Sequence, residues 1–268
     1  MAAPLLFTSH GSPLIALQPG GYGPALTAWA SGQPRPRAVL LVSAHFEEAA
    51  GLSLTGNLRP PTIHDFGGFD PKLYTLTYPV PGDPALAEAV AAELRAHGRP
   101  AWVDPERGLD HGAWIPLRFL LPEASVPVVQ LSLPATDGVE RLAALGATLR
   151  SFRDDAVWIV GSGGLVHNFR TMVWGDREAP VQQWAVEAEE GLLTHLRARD
   201  IAGAAAYVAA GKMERAAPTP EHLAPAFVVL GATHARDRYR DVHRGFQHGS
   251  LSMRTFAFED STQSPSAA

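Results

Sequence analysis

Apolar positions along the chain fall into two kinds of run. Short unbroken stretches recur at 4–9, 37–43, 126–132 and 156–161, with RAVLLVS and AVWIVG the clearest. Runs of that length bounded by turn residues predict strands buried on both faces. Between and after them, apolar residues at helical spacing predict helices at 22–31, 83–97, 114–121, 138–152, 181–197, 201–211 and 219–231. The plainest helix is 83–97, with Pro84 in its first turn and Gly98 beyond its end. Weaker strand signals lie at 51–55 (a neighbour for 37–43), 101–104 and 250–258. Strands alternating with helices predict an α/β fold, a single domain over residues 1–258 with a central, mostly parallel β-sheet flanked by helices. Residues 259–268, rich in Ser, Pro and Ala, predict a disordered tail. Two segments break the alternation. Residues 58–78 are too long and too aromatic for a passive connector, and 107–112 form a second loop.

Composition narrows the function classes. With 46% hydrophobic and 18% charged residues in 268, the chain can bury a large core. Net charge is −5 and no basic run occurs, so the footprint of a nucleic-acid binder is missing. No apolar stretch approaches the roughly 18 residues of a membrane span, and the first residues lack the pattern of a signal peptide. The expectation is a cytoplasmic protein without membrane or nucleic-acid partners. The absence of cysteine excludes disulfides, thiolate nucleophiles, Fe–S clusters and Cys-type zinc sites. Gly161-Ser162-Gly163-Gly164 follows a predicted strand, but His167 and Asn168 stand where a phosphate loop needs Lys and Ser/Thr.

Eleven histidines against 22 Lys and Arg make histidine placement the informative feature. His10, His45 and His167 each lie just past the end of a predicted buried strand, where open α/β sheets bind ligands. His222 follows Pro220 at the start of a predicted helix. Neutral imidazole ligates Zn(II) and Fe(II), so these four predict one mononuclear metal site at the C-terminal edge of the strands. Glu221 is the candidate carboxylate beside them. A lone histidine at a strand end is more often structural. Four at one edge, among Gly11, Ser12, Ala44, Gly163 and Gly164, favour a site. His64 and His111 sit in loops beside Asp65 and Asp110, an arrangement suited to proton transfer or anion binding. His248 is a weaker instance. His97, His195, His234 and His243 read as solvated.

Longer strings carry a resemblance: HGSP at 10–13, SAH at 43–45, TIHDFGGF at 62–69, YPVPG at 78–82, GLDHGAW at 108–114, PVVQLSL at 127–133, GSGGLVHNFR at 161–170 and TPEH at 219–222. Together they resemble the class III extradiol ring-cleavage dioxygenases, and more narrowly their small single-subunit 4,5-dihydroxyphenylalanine (DOPA) extradiol dioxygenase-like branch. The similarity runs from residue 5 to about 258. It implies one divalent metal, Zn(II) or Fe(II), on His10, His45 and His222, with His167 as general base or fourth ligand. It implies a small aromatic diol and O2 as substrates and a ring-opened semialdehyde as product. His167 would take a proton from a hydroxyl, and His111 or His64 would donate one. His64, Phe66 and Trp114 would contact substrate, with Phe69 and Tyr74 as further walls, and Arg118 or Arg170 would meet a substrate carboxylate. Rival readings are a zinc-dependent hydrolase and a non-catalytic metal-binding protein on the same fold. Oligomeric state is open between a monomer and a small homo-oligomer.

Overall fold

Alternate residues within each apolar run point to opposite faces of one sheet, which is why the runs are apolar throughout. The computed structural model describes residues 2–261. Its eight-stranded sheet contains β1 (Leu5–Ser9), β2 (Ala38–Glu48), β3 (Leu52–Thr55), β4 (Ala101–Asp104), β5 (Val128–Pro134), β6 (Val157–Gly163), β7 (Asp237–His243) and β10 (Thr255–Asp260). Their order is β4-β3-β5-β2-β6-β1-β10-β7. The centre, β5-β2-β6-β1, is parallel, and the chain reverses at both flanks, β3 against β5 and β10 against β1. The strand at 51–55 therefore neighbours β5 and β4 rather than β2.

Leu5, Phe7, Leu40, Val42 and Ile159 pack into one core, while Leu6, Val39, Leu41, Trp158 and Val160 pack into another on the opposite face. The first core is covered by α2 (Pro84–Ala96), α4 (Val139–Leu149), α5 (Gln183–Ala198), α6 (Ile201–Ala209) and α7 (Ala224–Gly231). The second is covered by α1 (Tyr22–Ser31) and α3 (His111–Leu120). Helix starts follow local chemistry. Asp83 accepts from the amide of Leu86 at 2.9 Å at the head of α2, and Asp110 accepts from Ala113 at 3.2 Å at the head of α3.

Three expectations change. The strand at 250–258 divides into β9 (Leu251–Ser252), paired with β8 (Phe246–Gln247), and β10. Strand β10 runs to Asp260, past the boundary expected at 258, because Glu259 accepts from Trp29 Nε1 at 2.7 Å and Asp260 is buried. The rest of the expected tail, 262–268, lies outside the described residues. Strand β7, DRYRDVH, escapes the apolar criterion because it is an edge strand, and charged side chains suit an edge. No helix of the described residues is long and apolar enough to cross a membrane.

Candidate metal centre

The parallel strands deliver histidines to one edge, each by a different local device. His10 follows β1, and its amide donates to the Gly163 carbonyl at 3.0 Å. His45 lies inside β2 rather than beyond it. Val42 pairs with Leu131 and Glu47 with Leu133, so β2 bulges between them and turns His45 into the site. Gly112 makes room for it, since a Cβ there would lie 3.1 Å from His45 Cδ2 and 2.5 Å from Ser43 Oγ. His222 precedes α7, and its carbonyl accepts from Gly164 N at 2.8 Å. Gly163 permits that approach, because its Cβ would come 2.2 Å from the His222 oxygen.

One nitrogen of each of His10, His45 and His222 lies within 4.8 Å of the others. His10 and His45 face each other Nε2 to Nε2 at 3.0 Å. The opposite nitrogens are engaged: His10 Nδ1 meets Ser162 Oγ at 2.9 Å, and His222 Nδ1 meets Glu221 Oε1 at 2.9 Å. His222 Nε2 is buried with no hydrogen-bond partner among the described residues. An orphaned buried nitrogen beside two convergent imidazoles fits a divalent ion bound at roughly 2.1 Å, and outer partners on the far nitrogens are the usual company of metal-bound histidine. Glu221, the candidate carboxylate ligand, instead accepts from His222 and from Thr219 Oγ1 at 2.7 Å. Burial alone would raise its carboxyl; these bonds hold it down at about 2.

Electrostatics favour the neutral forms of His10 and His45. Burial first, then the neighbouring imidazoles, lower His10 well below its ordinary value and His45 to about 2. His167 stands outside the three-nitrogen group. Its ring stacks on His222 with centroids 3.5 Å apart and an 8° tilt, and burial followed by His222 lowers it to about 3.

Neither loop histidine bonds the carboxylate that adjacency suggests. His111, the first residue of α3, donates from Nδ1 to Asp65 Oδ2 at 3.0 Å and from its amide to Oδ1 at 2.8 Å. Burial raises Asp65, but the bonds from His111 bring it to about 2. Asp110 is fully buried and accepts from Ser43 Oγ at 2.8 Å and from Gln130 Nε2. His64 Nε2 donates to the Leu76 carbonyl at 2.9 Å, outside the cavity lining. Trp114 also lies outside it, fully buried, its Nε1 donating to the Ile63 carbonyl at 2.9 Å. Both therefore hold the loop that carries Asp65 and Phe66.

The cavity over His10, His45, His111 and His167 has a volume of about 280 Å³. Phe66, Phe69, Phe169, Met172, Trp174 and Leu251 supply its apolar walls. Tyr74 does not line it, nor does Arg118, which donates to the Thr77 carbonyl at 3.0 Å, nor does Arg170. Phe169 and Trp174 are 57% and 62% exposed at the rim of the cavity. Of the histidines read as solvated, His243 packs against Tyr22 and His234 buries Nε2. Asp65 and Ser162 belong to the site without having been singled out. Asp65's only sequence signal is its neighbour His64.

A mostly parallel sheet bearing three convergent histidines at the floor of an apolar cavity is an α/β fold with a candidate metal centre. Residues 5–255 match the family described as the catalytic LigB subunit of aromatic ring-opening dioxygenase, and the chain belongs to this family of metal-dependent extradiol ring-cleaving enzymes. It is 36% identical over 256 residues to a 4,5-DOPA dioxygenase extradiol of Escherichia coli K12, covering 93% of this chain and 92% of that protein. A Beta vulgaris protein of the same name is 33% identical over 94% of this chain and 95% of its own. The solved structure of an uncharacterized Escherichia coli K12 protein superposes with a TM-score of 0.81 at 30% identity, covering 96% of this chain and 100% of that one.

Proposed function

We propose that the substrate is a catechol, opened beside its diol with O2, and that His10, His45 and His222 hold the ion that turnover requires. The convergence of three imidazole nitrogens beneath an apolar cavity carries this reading. Fe(II) is the ion that fits, because Zn(II) has no redox chemistry. When bound, it supplies Lewis acidity toward the diol and redox chemistry toward oxygen. His167 is neutral and borders the cavity, so it can accept a hydroxyl proton, and the nearby Glu221 charge favours the protonated form. Asp65 holds the Nδ1–H of His111 and fixes its ring, so His111 donates toward developing negative charge from Nε2 as the imidazolium. The aromatic walls position the ring and exclude water. A zinc hydrolase has less to rest on, since Asp65, the carboxylate lining the cavity, is engaged by His111.

Protein loaded anaerobically with Fe(II) and mixed with a catechol and O2 is expected to consume oxygen and form a yellow ring-opened product. His167→Gln should retain its iron and lose about 10²–10⁴-fold in kcat. Iron-loaded protein that takes up no oxygen across a panel of catechols overturns the proposal. Loss of iron from His167→Gln returns that residue to the ligand set.

A further inference from the structure

A second hollow adjoins the cavity over the histidines at Phe69. Ser12, Gly67, Phe69 and Trp174 line both the cavity and this hollow of about 560 Å³. The far wall of that hollow contains Gln18, Arg177, Gln247 and His248, none of which the ring-cleavage chemistry uses. The half-buried Arg177 is held from several sides. Its Nη1 donates to the Gln18 carbonyl at 2.8 Å. With the Gln247 amide oxygen turned toward the guanidinium, Nε and Nη2 donate to it at 3.2 and 2.7 Å. Its backbone carbonyl accepts from His248 N at 2.9 Å, with His248 in the left-handed region at φ +54°.

Every one of these acceptors is neutral. Arg99, Arg153 and Arg254 are matched with carboxylates, Asp137, Asp237 and Glu189, whereas Arg118, Arg150 and Arg199 donate to backbone carbonyls and line neither hollow. Arg177 has no such ion pair among the described residues. A guanidinium has five N–H groups in a rigid fork, and these contacts leave one N–H free on each terminal nitrogen. Gly20 keeps the fork approachable, for a Cβ there would lie 3.2 Å from Nη2. A cation fixed by neutral acceptors keeps its full charge and is pre-organised for an incoming anion, which lowers the ordering cost of binding.

We infer that this hollow is the subsite for an anionic substituent of the substrate: a carboxylate on the side chain of the aromatic diol binds Arg177 while the diol lies over the histidines. Phe69 and Trp174, at the junction, flank the linker between the two ends. This rests on the ring-cleavage reading for the placement of the diol, and it makes Arg177 a specificity-determining residue of that reaction.

The test uses the full-length, iron-loaded protein and a matched pair, a catechol with a propionate side chain and its methyl ester. Anaerobic titration measures Kd and oxygen uptake measures KM. The wild-type protein should favour the acid by about tenfold to a hundredfold in both, the range of one charge-assisted contact. Arg177→Gln should bring that ratio to about one, and Arg177→Lys should restore part of it. A wild-type protein indifferent between acid and ester, or a preference that survives Arg177→Gln, overturns the subsite. If the preference and its loss are seen in titration while neither compound consumes oxygen, the subsite stands and ring cleavage falls. If both are turned over without preference, ring cleavage stands and the subsite falls. If neither binds, both are overturned.

Discussion

The hydroxyl of Ser162 has one proton to give, and the Gly112 carbonyl takes it at 2.5 Å. Ser162 Oγ must then accept from His10 Nδ1, which puts the imidazole proton on Nδ1 and leaves a lone pair on Nε2 facing His45. Glu221 does the same for His222, since a carboxylate can only accept. Ser162→Ala frees His10 to adopt the other tautomer and to rotate. Metal affinity measured by chelator competition should fall about tenfold to a hundredfold, with the far-ultraviolet spectrum unchanged. An affinity within twofold of wild type would mean that packing alone holds the ring. At this scale the convergent histidines were legible, because imidazole at a strand end is informative in itself. Ser162 was not, because a serine acquires meaning only from its partner, and this one is 152 positions away.

Elements place the site through close backbone approach. Helix α4 lies against α7 with a glycine on each side: a Cβ on Gly146 would sit 1.9 Å from the Val228 carbonyl, and one on Gly231 would sit 1.9 Å from the Ala143 carbonyl. The segment ahead of α7 carries His222, so this packing helps set the height of that imidazole above the sheet. Gly146→Ala forces the helices apart. Thermal unfolding should show a loss of about 1–3 kcal/mol, and metal affinity should weaken with it. An unchanged Tm would show that α7 is free to shift. Helices α2 and α5 were readable to within two residues at their ends, since apolar spacing and end signals are local, whereas α7 starts five residues later than expected and leaves His222 in the turn before it. The bulge in β2 and the edge strand β7 were not, because a bulge exists only in relation to the partner register and an edge strand lacks the two-sided burial that makes a run apolar.

Across the whole molecule, one buried ion pair joins distant parts of the chain. Arg153 and Asp237 are both fully buried at the side chain and meet through two contacts, at 2.7 and 3.0 Å. Arg153 also donates to the carbonyls of Ala3 and Ala232, so the segment before β1, the end of α7 and the start of β7 share one guanidinium. Asp237→Asn leaves that cation buried and unpaired. Chemical denaturation should register a loss of about 3–5 kcal/mol. A loss below about 1 kcal/mol would show that the carbonyls suffice. The sequence by itself determined the α/β class and the sheet edge at which the histidines gather, because periodicity and side-chain type are local properties. Only the tertiary structure decided that Asp65 serves His111, that Ser162 sets His10, that Trp114 and His64 brace a loop rather than line the cavity, and that Arg177 lines the hollow beside it. Those pairings depend on strand register, a bulge and the crossing of loops, and they join residues whose separation along the chain carries no trace of their contact.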